Sequence, residues 1–418
     1  MKFLRPLLVL LVCTCSLGPA AALTLHEAEM RLTEKNRDVH AARRALEAAA
    51  AGALVASARP NPNLSIQSAG ISPRSGIGSG RFGDKIVDTT IRLDQVVERG
   101  GKRQLRSDAA GKLVRAAEQD VADALRAQRL VLRQAYFDLK LAQEKLAIAR
   151  DFGELSEKSL RATELRLKAG DISAADAARL RVDAMRAQND LRSAQADLVR
   201  AQFVLASLIA AEEAATGLEA SDAWPHGAAL EQARRVQNDD AIDSRPDVRA
   251  AAQRVEAAEA NRKVVLALKS RDITVGVQYE HFPENSGNTW GVGFSIPLFV
   301  AYAYEGEIRR AESDWHAARD VLEKIRARAG AETARTRSDI EAASERIERF
   351  RGSLLMEAKR VADAAEFAFQ KGAVGVLELL DARRTFKSIQ LEAVNAEADF
   401  ARALAAWLAS LYFDMDLQ

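Results

Sequence analysis

Apolar side chains recur every seven residues along three proline-free stretches of the chain, at about 101–167, 184–208 and 379–407. A seven-residue step is typical of helices that pack side by side with a left-handed supercoil. The pattern predicts that the first stretch is one helix of about 67 residues, about 100 Å long at ~1.5 Å per residue. Taken alone, these stripes favour an ordinary antiparallel coiled coil, and the extended stretches between the helices argue for a different architecture. The two stripes of the first stretch are Leu125, Leu132, Leu139, Leu146, Leu160 and Leu167, and the smaller Ala135, Ala142, Ala149 and Ser156.

A two-residue alternation replaces the seven-residue step at 273–280 and 290–298. Apolar residues there alternate with small or polar ones, over about the ten residues per strand of a membrane-spanning hairpin. A soluble sheet with one solvent-exposed face gives the same alternation. Here one face is heavily apolar and the other entirely small or polar, which favours strands that span a membrane. A weaker version occurs at 64–66 and 87–93. We predict that lipid meets one face of the second hairpin, formed by Val275, Val277, Tyr279, Trp290, Val292 and Phe294.

The first 22 residues have the three parts of a secretory signal. Two basic residues begin it, an apolar run spans 7–12, and three alanines at 20–22 supply a cleavage site. We therefore expect export, with cleavage after Ala22 removing the chain's two cysteines, Cys13 and Cys15. A buried N-terminal helix and a lipid anchor on one of these cysteines are the alternatives. No later stretch approaches the ~18 apolar residues of a membrane helix, so we expect any membrane span to consist of strands.

The chain contains the same plan twice. The segment 38–42 recurs at 247–251, an offset of 209 residues, and Gly170 corresponds to Gly372 at an offset of 202. Each copy predicts a helix, an extended stretch, a very long helix, a glycine turn and a helix. A unit of about 200 residues is too long for a solenoid repeat, so we expect one architecture made from two similar halves. The expected organisation is a signal peptide at 1–22, a first repeat at 23–211, a connector at 212–243 and a second repeat at 244–418.

Two hairpins provide only four strands per chain, and four strands cannot close a barrel in lipid because open edges are not tolerated there. The smallest membrane barrels have about eight strands. We therefore expect the chain to oligomerise, and a homotrimer would supply twelve strands, enough to surround a lumen. The predicted fold class is mainly α with a small β part. It is a long coiled-coil α-helical barrel that continues into a twelve-stranded membrane β-barrel shared by three chains, with four strands from each.

Charge and composition argue against several classes of function. The formal net charge is +1, with 28% charged residues, so no basic field favours nucleic acid. The five histidines are far apart in the sequence, and no cysteine remains after cleavage, so no zinc-type ligand cluster is visible. Neither a nucleophile–base signature nor a glycine-rich cofactor loop is present. We expect no enzyme activity, no cofactor and no metal site.

With this arrangement the chain resembles the TolC-type outer-membrane efflux proteins over essentially its whole mature length. The duplicated helix–hairpin–helix plan is the main match, and the local matches are 93–95 with 98–103, and 295–298. The run Leu-x-Gln at 93–95 followed by Gly-Gly-Lys-Arg at 100–103 is most similar to the branch that serves heavy-metal exporters of the cobalt–zinc–cadmium type. The resemblance implies an outer-membrane duct with a long periplasmic extension. It also implies that divalent heavy-metal cations arrive from an inner-membrane pump of the resistance–nodulation–division type, through a periplasmic adaptor (a membrane fusion protein).

The resemblance assigns roles to the two glycine turns as well. Glu378 and Asp381 match the two acids that ring the constricted inner end in the family, and Asp176 and Arg179 are their first-half equivalents. Arg179 departs from the acidic pattern, and we expect it to pair with Asp381 and hold the constriction shut. Solvated residues at a helix start, where acids are favoured, are the alternative for all four. The implied adaptor-contacting residues are Gly170, Asp171, Ile172 and Ser173 in the first turn, and Gly372, Ala373, Val374, Gly375 and Val376 in the second.

Other functions remain open from the sequence. An outer-membrane duct for drugs or other small organic compounds would have the same architecture. A periplasmic adaptor would carry one long helical hairpin flanked by compact sheet domains, and two hairpins with membrane-type strands argue against it. An enzyme on a coiled-coil scaffold has no residue constellation in its favour.

Overall fold

The computed structural model describes residues 21–81, 84–225, 227, 230, 231, 234, 241–282 and 287–412. Most of the predicted signal peptide, with Cys13 and Cys15, lies outside this part of the chain, as do 283–286 in the second hairpin. The chain forms two compact units, and each draws on both sequence repeats. The helical unit consists of Met1–His40, Ala124–Ala241 and Ala331–Gln418, and the sheet unit of Ala41–Asp123 and Ile242–Gly330.

The sheet unit contains one antiparallel sheet of four strands, in the order β2 (Asn63–Ala69), β3 (Asp88–Val97), β5 (Ile273–Phe282) and β6 (Gly287–Ser295). Both predicted hairpins are present, and β3 and β5 join them through a regular register from Thr89–His281 to Val97–Ile273. Consequently β2 and β6 are the two edge strands.

Long helices make up most of the rest of the chain. Helix α3 (Lys102–Lys168) runs without interruption over 67 residues, as the seven-residue stripe predicts. Both of its stripes are turned inward, since Leu132, Leu139, Ala135 and Ala142 are all buried. The α-helices of the described residues are α1 (Leu25–Lys35), α2 (Arg37–Ser57), α3 (Lys102–Lys168), α4 (Ala174–Leu208), α5 (Ala241–Ser244), α6 (Pro246–Ala267), α7 (Glu305–Arg349), α8 (Leu355–Gln370) and α9 (Val376–Ser410).

One turn of π-helix, Phe350–Leu354, separates α7 from α8. A π turn holds one more residue than an α turn, so it shifts the face that all later side chains present. Ile340 and Ile347 are buried at the seven-residue step, whereas Leu354, the next position of that step, is exposed. The inward positions resume one residue later, with the partly buried Leu355 and the buried Ala362. The sequence contains no signal that predicts this turn.

The connector between the repeats packs against α3. Strand β4 (Leu218–Ala220) pairs in parallel with β1 (Ala21–Leu23), so the strand includes Ala21 and Ala22 of the expected cleavage site. The hydroxyl of Tyr136 on α3 lies 2.9 Å from the Leu23 carbonyl oxygen and accepts hydrogen bonds from the backbone N–H groups of Ser221 and Asp222. Burial raises the pKa of Tyr136 to about 12, so this hydroxyl keeps its proton.

Candidate functional site

The six residues predicted to face lipid share one face of the sheet. The register places Val275 opposite Phe294, Val277 opposite Val292, and Tyr279 opposite Trp290. This face is open in the single chain, since Trp290 is 78% exposed and Phe294 71% exposed. The first hairpin extends the same apolar face with Leu64, Ile66, Ile91 and Leu93.

The opposite face of the sheet carries a polar network centred on Arg92. Its guanidinium donates to both oxygens of Asp94 at 2.9 Å and to Gln278 Oε1 at 3.2 Å. Gln278 Nε2 donates in turn to Glu280 Oε1 at 2.8 Å. A Cβ atom at Gly276 would overlap Asp94 Oδ1, so a glycine there lets these side chains lie flat on the sheet. The alternation predicted a polar face, but not the ion pair within it, because no periodicity encodes a partner.

The two glycine turns have the same backbone geometry, as the duplication predicts. Gly170 has φ +82° and Gly372 φ +73°, a conformation that favours glycine. In each turn the residue after the glycine donates to a carbonyl five residues back, Asp171 to Arg166 and Ala373 to Ala368, both at 2.9 Å. This is the Schellman arrangement that ends a helix.

The turns meet in the helical unit through a small apolar cluster. Leu180 on α4 and Leu380 on α9 are buried against each other's helix, with Ile172 and Phe369 packed around them. Val376, which we expected at a contact surface, is only 4% exposed and belongs to this cluster. The other residues expected to contact an adaptor are exposed or half-buried.

The four charged residues next to the turns divide into two groups. Glu378 and Asp381 are exposed, and neither has an ion pair or hydrogen bond to another described residue. Arg179 instead donates to Asp176 on its own helix at 2.7 Å. The expected pair between Arg179 and Asp381 is therefore absent from the described part of this chain. Asp176 lies three residues from Arg179 on α4, and such neighbours on one helical face pair readily.

Other pairs, which the sequence did not indicate, connect the helices around the turns. Lys387 on α9 donates to Asp190 on α4 at 2.6 Å. Arg383, also on α9, is buried and donates to Glu366 on α8 and, at 2.8 Å, to Ser159 on α3. Each pair joins two different helices, so it follows from packing rather than from a local spacing.

Two kinds of element are absent from the described residues, a metal-binding cluster and a membrane-crossing helix. No three His, Cys, Asp or Glu side chains there come together in a group able to hold a metal ion. No helix in the same part of the chain has both the length and the apolarity to cross a membrane.

Comparison with known proteins gives one consistent result. Residues 30–211 and 238–411 match the model of the family described as outer membrane efflux protein. The cobalt-zinc-cadmium resistance protein CzcC of Cupriavidus metallidurans is 24% identical over 382 residues, which are 88% of this chain and 84% of that protein.

Two solved structures illustrate the likeness of fold. The outer-membrane channel OprN is 22% identical with a TM-score of 0.75, covering 93% of this chain and 89% of that one. The CmeC outer membrane channel of Campylobacter jejuni is 15% identical with a TM-score of 0.76, covering 93% and 85%. The family match spans most of the chain and leaves out only its ends and residues 212–237 within the connector. The chain therefore belongs to the outer membrane efflux protein family, and it is an outer-membrane channel of that family.

Proposed function

We propose that three copies of this chain form the outer-membrane duct of a tripartite efflux pump. The observation that carries the proposal is the four-stranded sheet, which has two unpaired edges and one exposed apolar face. Open edges are not tolerated in lipid, and pairing β6 of each copy with β2 of the next removes all of them at twelve strands. The apolar face then meets lipid, and the face with Arg92 and Gln278 lines the lumen.

The assembly is tested by fractionating cells and extracting the protein in mild detergent. We expect it in the outer-membrane fraction as a trimer that survives extraction. A soluble monomer in the periplasm would refute the proposal.

The glycine turns are the surface we assign to a periplasmic adaptor, which in turn contacts an inner-membrane pump of the resistance–nodulation–division type. The exposed Gly170, Asp171 and Ser173, with Gly372 and Ala373, supply the contact, while Val376 supports it from the apolar cluster. Bulky side chains at Ser173 or Ala373 should abolish copurification with the adaptor and leave the trimer intact. The control is the same change at exposed Val321 on α7, outside the turns.

Divalent heavy-metal cations are the substrate class we assign. Two observations support this assignment: the similarity to CzcC, which is named a cobalt-zinc-cadmium resistance protein, and the unpaired acids Glu378 and Asp381 beside the turns. In a trimer these residues would contribute six carboxylates around one axis, and a ring of like charge attracts cations. The charge of the ring is diffuse, so it guides ions without holding them.

The substrate is tested by deleting the gene and measuring growth. Tolerance to cobalt, zinc and cadmium should fall, and wild-type protein should restore it. Sensitivity to lipophilic drugs with unchanged metal tolerance would instead favour a duct for organic compounds. In planar bilayers Glu378→Gln should weaken cation selectivity, whereas Asp171→Asn, an exposed acid of the first turn, should not.

A further inference from the structure

A cleft lies at the foot of the sheet, where α2 leads into β2 and β3 leads into α3. Its volume is about 600 Å³, and its walls include Arg59, Pro60, Val97, Arg103 and Gln104. Val97 is an exposed apolar residue at the end of β3. The cleft therefore offers an apolar wall with basic side chains beside it.

The charge of this cleft is not balanced within the chain. The nearby acids are already engaged, since Glu98 accepts from Arg106 and Asp272 accepts from Lys102 at 2.9 Å. Arg59 and Arg103 are exposed, and neither forms an ion pair with another described residue. Two cations consequently face outward at the cleft.

A segment of complementary character follows β6. Leu298 is 72% exposed and Val300 is 89% exposed, although both are apolar. The segment ends in two exposed acids, Glu305 and Glu307, and no Lys or Arg occurs between residues 271 and 309. The backbone N–H of Ala303 donates to Glu305 at 3.0 Å, and backbone hydrogen bonds from Glu305 itself and from Ala303 lower the pKa of this carboxyl. It therefore presents a stable negative charge.

The strand order brings these two features together only between copies. Strand β2 begins at Asn63 and β6 ends at Ser295, and the strands of the sheet alternate in direction. When β6 of one copy pairs antiparallel with β2 of the next, the last residue of β6 lies beside the first residue of β2. The chain that continues past Ser295 then runs beside Arg59 and Pro60 of the neighbour.

We propose that the cleft is a socket for residues 296–307 of the neighbouring copy, with Leu298 and Val300 entering it and Glu305 and Glu307 facing Arg59 and Arg103. The inference rests on the trimer of the proposed function and adds a second, non-strand contact at each of its three seams. Pairing of the edge strands alone leaves the residues that follow β6, among them Leu298 and Val300, exposed to water. The socket covers the exposed apolar residues there and pairs four charges.

Cysteine cross-linking tests the socket directly, because Cys13 and Cys15 are the chain's own cysteines and both lie in the expected signal peptide. Two differently tagged chains are co-expressed, one with Gln104→Cys and one with Val300→Cys, and treated with a short bismaleimide. We expect a linked dimer carrying both tags. Gln104→Cys with Trp290→Cys is the negative control, since Trp290 lies five residues from the foot of β6.

A second pair separates this inference from the proposed function. Leu64→Cys with Phe294→Cys reports the pairing of β2 with β6. If that pair links and Gln104 with Val300 does not, the socket is wrong and the trimer stands. If neither pair links, the trimer itself is refuted.

Charge reversal tests the ionic part. Arg59→Glu with Arg103→Glu should lower the yield of the Gln104–Val300 product several-fold, and adding Glu305→Arg with Glu307→Arg should restore it. A phospholipid headgroup is the competing occupant of a basic cleft beside lipid. The ionic part of the proposal fails if Arg59→Glu with Arg103→Glu loses copurifying anionic phospholipid while the yield of the cross-link is unchanged. In that case the two arginines bind lipid headgroups.

Discussion

A charge on the apolar face of the sheet should prevent assembly, and Val292→Lys is the variant that tests this most sharply. Strand β6 has nine residues, which span about 31 Å at ~3.4 Å each and about 23 Å of height at a tilt of about 40°. Val292 is one residue from the central Gly291, so its side chain lies within about 3 Å of mid-height. At that depth a lysine facing lipid costs about 2–4 kcal/mol per chain. Three copies together lose about 6–12 kcal/mol per trimer.

The matched control places a charge at the same depth on the other face. Gln278 lies opposite Gly291, and its Oε1 accepts from Arg92. Gln278→Glu keeps that acceptor but loses the donor to Glu280, so we expect a loss of trimer clearly smaller than that of Val292→Lys. The yield of detergent-resistant trimer at matched expression, and the urea midpoint in lipid vesicles, measure both variants. Equal damage by the two substitutions would refute the assignment of the faces.

Three further predictions concern the helical unit. Lys387→Ala removes the ion pair with Asp190, which is worth about 0–1 kcal/mol per chain, and should raise the open fraction of the channel in planar bilayers. Arg179→Ala should leave the open fraction unchanged, because the pair of Arg179 with Asp176 stays within one helix. Trp407 is fully buried and its indole N–H has no partner among the described residues. Thermal unfolding should therefore show a cost of about 3–5 kcal/mol for Trp407→Ala and a much smaller one for Trp407→Phe. Burial raises the pKa of Glu144, although a hydrogen bond from Trp224 opposes this. The folded state therefore binds the proton of the Glu144 carboxyl more tightly than the unfolded state does. The contribution of Glu144 to the free energy of unfolding consequently falls as pH rises above about 4.5. The unfolding temperature of Glu144→Gln relative to wild type should increase from pH 4 to pH 7, and a difference independent of pH would contradict this assignment.

Periodicity predicted the elements because burial imposes it directly. The seven-residue stripe of α3 and the alternation in β5 and β6 each record which side of an element meets a neighbour or the surroundings. The turns at Gly170 and Gly372 were predictable for a related reason, since a positive φ favours glycine. These features depend on local geometry, which one sequence contains in full.

Partners across space were not predictable in the same way. Arg179 was expected to bind Asp381, and the structure pairs it with Asp176. The ion pair of Lys387 with Asp190, and the parallel pairing of β1 with β4, each join segments about 200 residues apart. Such contacts depend on how whole helices and strands are placed, and neither spacing nor composition encodes that placement in a single sequence.

The π turn at 350–354 makes the long helix of the second repeat tolerant of a change in length. In the first repeat the corresponding helix is the unbroken 67 residues of α3, whereas α7, the π turn and α8 together run from Glu305 to Gln370. An inserted or deleted residue in a continuous helix rotates everything beyond it by about 100°, because each turn has ~3.6 residues. The π turn confines such a rotation to Phe350–Leu354, so Ile347 and Ala362 both remain inward. Two duplicated halves can thus diverge by single residues while their buried stripes stay in phase with their neighbours.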